Sequence, residues 1–302
     1  MFYGIDIGGT KIEFVVFDDA LDPVERIRIA TPADDYSAFM TAVCDLIAQA
    51  DAKYGADAKV GIGMPGLVEP NGRALCSNLP GLMGQSVNAD IARRIGRPVA
   101  IGNDTRCFAL SEATDGAGAG YRSVFGAILG TGAAGGLVID GRVEEGARSL
   151  AGEYGHLALP ALLARRYDLP IRRCGCGLLG CIEAYVAGDG LVALGAHFGA
   201  SAATTRALAD AWRAGDGPAN AAREAFLDIL GAAFANIVKL CDPDIIVLGG
   251  GLSLMPELVE VLPTTIANHL FGGFSAPPLR TARFGDASGV RGAAILARET
   301  LI

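Results

Sequence analysis

The chain has 302 residues, 51% hydrophobic and 19% charged, with 42 glycines and a formal net charge of −8. This length gives room for two domains of ordinary size with buried cores, and the composition is that of a compact soluble protein. The acidic balance argues against nucleic acid as a partner, the longest apolar runs are broken well short of a membrane span, and the opening MFYGIDIGG has no secretory pattern, so a cytoplasmic setting with reduced thiols is expected.

In chain order, Phe2–Ile5 and Ile12–Phe17 read as two strands of a hairpin turned at Gly8 and Gly9. Tyr36, Met40, Val43, Leu46 and Ile47 then recur at helical spacing, with Gly55 as a stop, and Val60–Gly63 reads as a buried strand. A helix over Asp90–Ile95, an extended run over Pro98–Ile101 and a helix over Phe108–Ala113 follow, placing Asn103 and Asp104 at a strand-to-helix junction. The strand–glycine turn–strand pattern recurs with Val124–Leu129, a turn over Gly130–Gly136, and Leu137–Ile139 before an Asp140–Gly141 turn. Phe226, Leu230, Phe234 and Ile237 mark a helix ended by Asp242 and Pro243, and strand Ile245–Leu248 runs into Gly249–Gly251. Alternating strands and helices predict an α/β protein of two similar halves, divided near Gly116–Gly120.

Several groups along this chain carry chemistry. Cys174, Cys176 and Cys181 lie within eight residues, with His156 eighteen positions upstream, and the intervening glycines suit a metal knuckle better than a core element. Three thiolates and an imidazole would close a tetrahedral zinc site without an open position for water, so the expected metal is structural. In the first hairpin, Gly8, Gly9, Thr10 and Lys11 offer exposed backbone N–H groups, a hydroxyl and an ammonium to a polyphosphate, while Asp6 offers a carboxylate to Mg²⁺ through water. Gly130, Thr131 and Gly132 repeat that chemistry, and Gly249, Gly250 and Gly251 suit either a flat base or ribose lying close, or tight packing of backbone on a sheet. Asp104 is the candidate catalytic base, with the N-cap of the next helix as the competing reading for Asn103–Asp104. Glu153 and Glu183 flank the zinc residues and could accept hydrogen bonds from sugar hydroxyls.

Taken together, DIGGTK, NDTRCFALSEA, LGTGAAGGLVIDGRV, GEYGHL, CGCGLLGC and DPDIIVLGGG resemble, in this order, the motifs of the ROK family of repressors, open reading frames and kinases. That resemblance implies two ribonuclease-H-like domains with an interdomain cleft, of the sugar kinase, Hsp70 and actin superfamily. The first would span 1–118 with a returning helix at about 289–302, and the second 119–288. It implies Mg·ATP as donor to a sugar hydroxyl, usually at C6, Asp104 as general base and Asn103 as a ligand of neighbouring hydroxyls. Glu153 and Glu183 would bind hydroxyls near the anomeric end. His156 would serve zinc with one ring nitrogen and the sugar with the other. Pro65, Gly66 and Asn78 resemble further sugar-contacting positions, and dimers are the family default. Kinases of the family usually carry GTGVGGG at the second phosphate turn, and Ala134 stands here in place of the middle glycine, where its methyl could crowd the backbone.

The start MFYGIDIGGTKI, the stretch NDTRCFALSEA and RRCGCG resemble N-acetylglucosamine kinases, whereas FGGFSAPPLRTARFGDASGVRGAA resembles fructokinases. The loop SNLPGLMG lacks a tryptophan and leaves room for an acetamido group, which favours N-acetylglucosamine over fructose, mannose or glucose. ROK repressors place a helix-turn-helix before the phosphate motif, and here Asp6 stands near the start, so a repressor is disfavoured. A catalytically silent sugar sensor is the remaining alternative from a different class.

Overall fold

The computed structural model describes residues 1–68, 72–76 and 79–301. Its contacts divide the chain into two compact units, the first made of residues 1–120, 136–151 and 283–302 and the second of residues 121–135 and 152–282.

In the first unit the opening apolar run forms β1 (Phe2–Ile7), which pairs antiparallel with β2 (Lys11–Phe17), and β2 pairs with β3 (Pro23–Ala30). The periodic helix is α1 (Tyr36–Tyr54), capped by the Asp35 carboxylate on the Ala38 N–H and stopped at Gly55, whose φ of 94° suits glycine. Then come β4 (Lys59–Met64), the short pair β5 (Leu67–Val68) and β6 (Ala74–Leu75), α2 (Val87–Ile95), β7 (Val99–Asn103) and α3 (Asp104–Thr114). The sheet order is β3-β2-β1-β4-β7, with β1, β4 and β7 parallel. β3 was not anticipated. Its residues alternate between exposed and half-buried, and Arg26 and Arg28 take exposed positions on a sheet edge, so it lacks the apolar run by which the other strands are recognised.

The C-terminal helix Ser288–Thr300 packs on this sheet and on α3. Glycine makes the approach possible at each contact: a Cβ on Gly4 would overlap the Val290 carbonyl, one on Gly61 the Ala293 carbonyl, and one on Gly292 the Cys107 carbonyl. Tyr3, Ile5, Phe14, Phe39, Ile47 and Ile62 fill the core with almost no exposure.

The second sheet has the order β10-β9-β8-β11-β12, from β8 (Ser123–Leu129), β9 (Ala133–Ile139), β10 (Arg142–Glu144), β11 (Ile245–Gly249) and β12 (Leu279–Thr281). β11 lies parallel to both β8 and β12. The glycine turn between β8 and β9 is shorter than predicted: it closes by Gly132, and Gly135 and Gly136 lie inside β9. A Cβ on Gly135 would come 2.6 Å from the Phe125 ring, so that glycine serves packing rather than a turn. Ala134 likewise sits in β9, beyond the turn. The long helix Gly217–Cys241 buries the predicted Phe226, Leu230, Phe234 and Ile237 and ends at Asp242 in the left-handed region. Among the described residues no helix is long and apolar enough to cross a membrane.

Candidate active site

In the first unit, strand register decides what stands beside what. Asp6 on β1 lies opposite Gly63 on β4, and Gly63 lies opposite Gly102 on β7, one residue before Asn103 and two before Asp104. The missing side chain at Gly63 leaves Asp6 and Asp104 close together: a Cβ there would sit 3.6 Å from Asp6 Oδ1 and 3.7 Å from Asp104 Cα. Burial, then the Asp104, Glu13 and Asp286 charges, push the Asp6 carboxyl up to about 7, while Lys11 pulls it down. Burial also raises Asp104, partly offset by the Thr105 N–H that donates to its Oδ1 at 2.9 Å. Two desolvated carboxyls side by side are a place where a divalent cation would be welcome, because it would hold both ionised. The turn Gly8–Lys11 closes with Gly8 N–H donating to Lys11 O at 2.9 Å, and Gly9, Thr10 and Lys11 are exposed.

Of the two readings of Asn103–Asp104, the structure shows the helix N-cap, and it falls on Asn103. Asn103 is the N-cap of α3, its Oδ1 accepting from the Thr105 and Arg106 N–H groups, and its Nδ2 donates to Gly66 O at 2.9 Å. That bond ties the loop after β4 to the strand end. Gly66 has a φ of 85°, and a Cβ there would overlap the Leu75 carbonyl, so only glycine fits. Asp104 is left as the first helical residue, its carboxylate in the turn where the helix dipole favours negative charge. A cavity of about 350 Å³ opens here within the unit, lined by Met64, Gly66, Asn103, Arg106, Glu145 and Ser149 among others. Pro65 lies in the same half-buried loop as Gly66, and Asn78 lies outside the described residues.

The second unit assembles the thiol cluster. His156 and Cys174, Cys176 and Cys181 each offer a ligand atom, all within 4.8 Å of one another. Cys174 Sγ is 3.6 Å from His156 Nδ1, and Cys176 Sγ is 3.6 Å from Cys181 Sγ. Around tetrahedral zinc, bonds of ~2.3 Å to sulfur and ~2.0 Å to nitrogen place ligand atoms roughly 3.5–3.8 Å apart, so these donors fit the ion. The other ring nitrogen, His156 Nε2, is 3.8 Å from Glu153 Oε2, a carboxylate placed to orient the ring. Tyr154, between these two residues, anchors their turn by donating to Ile128 O at 2.9 Å and packing edge-on against Phe125 and Phe234.

Close to the cluster lie the remaining glycine turns. Gly130 N–H donates to Gly132 O at 2.9 Å, and Thr131 between them is exposed. The third glycine run divides its work. A Cβ on Gly250 would overlap the Leu129 carbonyl, whereas nothing lies within 4 Å of one on Gly251. Gly250 is therefore there for packing against the end of β8, and Gly251 borders open space. Glu183 accepts from the Ala133 N–H at 2.9 Å with Oε2 and lies 3.5 Å from Cys174 Sγ with Oε1.

The family model described as the ROK family matches residues 2–300. The chain belongs to the ROK family. Across 98% of its length this ROK chain is 49% identical to an N-acetylgalactosamine kinase of Shewanella sp. strain ANA-3, covering 96% of it, and 43% identical to an N-acetyl-D-glucosamine kinase of Salmonella schwarzengrund, covering 99% of it. Among solved structures, the ROK hexokinase from Thermus thermophilus superposes with a TM-score of 0.86 at 34% identity, covering 98% of this chain and 97% of that one. A ROK glucokinase from Streptomyces griseus in complex with glucose and AMPPNP gives 0.78 at 28% identity over 99% of each. The mixed α/β units are thus the ribonuclease-H-like fold of the ROK sugar kinases.

Within the first unit the ROK chain brings together Asp6, Asn103, Asp104 and Gly66. Within the second it brings together Gly130–Gly132, Gly249–Gly251, Glu153, Glu183 and the thiol cluster. Arg106 escaped the sequence reading. It is buried, lines the cavity, and donates to Ser149 O at 2.5 Å and Ala151 O at 3.2 Å, fixing the loop that precedes Glu153. The one signal available was an arginine in the first turn of a helix, directly before the apolar run Cys107–Leu110.

Proposed function

We propose that this ROK chain is an ATP-dependent kinase of an N-acetylated hexosamine, transferring the γ-phosphoryl group to the C6 hydroxyl of N-acetyl-D-glucosamine to give the 6-phosphate and ADP. The observation that carries the reaction class is the pairing of Asp104 with Asp6 across Gly63: one carboxylate available as a base and another beside it to attract a cation. The sugar rests on the two relatives, whose names share an acetamido hexose.

In this reading Asp104 accepts the C6 hydroxyl proton as the oxygen attacks. Pro65, Gly66, Asn78, Asn103, Glu153, His156 and Glu183 hold the sugar. Asp6, Gly8–Lys11, Gly130–Gly132 and Gly249–Gly251 receive the nucleotide and its phosphates. Mg²⁺ bound with ATP supplies charge neutralisation on the phosphoryl oxygens. His156, Cys174, Cys176 and Cys181 would hold one zinc ion per chain, whose four protein ligands leave no position for catalysis, so its contribution is to keep Glu153 and Glu183 in place. A cytoplasmic homodimer that binds neither nucleic acid nor membrane, with domains dividing near residue 118 and the last helix returning to the first, completes the proposal.

N-acetylgalactosamine is the second reading, favoured by the 49% relative. The deciding experiment is ADP release with Mg·ATP and N-acetylglucosamine, N-acetylgalactosamine, N-acetylmannosamine, glucose, mannose or fructose in parallel. The highest kcat/KM is expected for N-acetylglucosamine. A tenfold preference for another sugar overturns the substrate, and no ADP release with any of them overturns the kinase.

A further inference from the structure

We propose that Glu183 is a positioning residue for the nucleotide turn Gly130–Ala133, beyond its contact with the sugar; the inference rests on the kinase reading above. Its Oε2 accepts the Ala133 N–H at 2.9 Å, and a Cβ on the neighbouring Gly132 would lie 3.0 Å from that same oxygen. Five residues on, the Gly188 N–H donates to Gly130 O at 2.8 Å. One segment therefore grips both ends of the turn. Between the two grips the chain is helical over Glu183–Val186, with Tyr185 and Val186 fully buried, so they belong to one rigid piece.

That piece is itself fixed to the thiol knuckle. Ala184 N–H donates to Cys181 O at 3.1 Å, Ile182 N–H donates to Leu157 O at 2.9 Å, and Glu183 Oε1 lies 3.5 Å from Cys174 Sγ. Gly155 also packs so closely here that a Cβ on it would overlap the Ala133 carbonyl, which leaves the backbone of Ala133 little room to shift toward it. A turn with two glycines in three residues is otherwise free to leave the shape that presents its N–H groups to phosphate. Fixing it before the ligand arrives removes that ordering cost from binding, and a carboxylate grips an N–H more strongly than a neutral acceptor does.

A role confined to the sugar would not move nucleotide affinity in the absence of sugar. The test is calorimetric titration of AMPPNP with Mg²⁺, without sugar, into the wild type, Glu183→Gln and Glu183→Ala, with metal content and thermal melting recorded for each. Glu183→Ala is expected to bind roughly tenfold more weakly, and Glu183→Gln, which keeps a neutral acceptor, about threefold more weakly. Affinities within twofold of wild type for both variants overturn the proposal. If Glu183→Ala loses its fold or its metal, Glu183→Gln decides alone by the same criterion. A wild type that binds no nucleotide overturns the kinase reading itself, an outcome distinct from variants that match a binding wild type.

Discussion

Asp104 and Asp6 are two desolvated carboxyls near Gly63 for which different tasks are proposed. Asp104 is desolvated at the start of a helix, with one oxygen accepting from the Thr105 N–H. Replacing it with Asn keeps the shape but removes the proposed base. Asp104→Asn is expected to lower kcat by roughly 10²–10⁴-fold while sugar affinity and metal content stay near wild type; near-normal turnover would remove Asp104 from the base role. Because burial raises its pKa, the acid limb of kcat/KM is expected above the ordinary carboxylate range, and a profile flat down to pH 4 would contradict this.

Asp6 makes a prediction about stability. Its folded pKa is about 7 against 3.8 for the free group, so the folded protein keeps a proton that the unfolded chain releases, and stability is lost as pH rises from about 4 to about 7. Asp6→Asn should therefore be more stable than wild type at pH 7.5 in chelator, with the difference in Tm shrinking toward pH 5. An unchanging difference would show that the carboxyl is not strained. Most of the residues proposed for this chemistry were nameable from the sequence because a glycine turn, an Asn-Asp junction and clustered thiols each need particular residue types at fixed spacing. The proximity of Asp6 to Asp104 was not, since it depends on register across β1, β4 and β7 and on Gly63, an ordinary glycine in a strand until its neighbours are known.

Among the elements, the strands and helices that bury one face or both were legible from periodicity, and β3 was not, because an edge strand carrying Glu25, Arg26 and Arg28 has too little apolar signal. Arg26 and Arg28 also explain how Glu13 is tolerated inside the sheet, at 3.3 and 3.1 Å from them. The tightest element contacts are those of the C-terminal helix, where backbone meets backbone at glycine. Gly292→Ala introduces a methyl where the Cys107 carbonyl already is, and should cost about 1–3 kcal/mol, a fall of several degrees in Tm. Gly217→Ala, at an open position, serves as the control; equal Tm values for the two would mean the helix can shift away at no cost.

Over the whole molecule, the thiol cluster lies close to two of the proposed sugar ligands, Glu153 and Glu183. Metal removal is therefore expected to weaken sugar binding at temperatures where circular dichroism is still that of the folded protein. Stripping by Cys176→Ala with sugar affinity unchanged would reduce the cluster to a staple.

The helix that covers the first sheet also imposes an order on biosynthesis. β1 leaves the ribosome before the second unit, and Ser288–Thr300, which packs against Gly4 and Gly61, leaves it after the whole second unit. The nascent first unit thus holds an uncovered apolar sheet face while the second unit is being made, the kind of surface that chaperones bind and aggregates grow from. A message cut short just before Ser288 would encode every proposed ligand and the base, yet leave that face permanently bare.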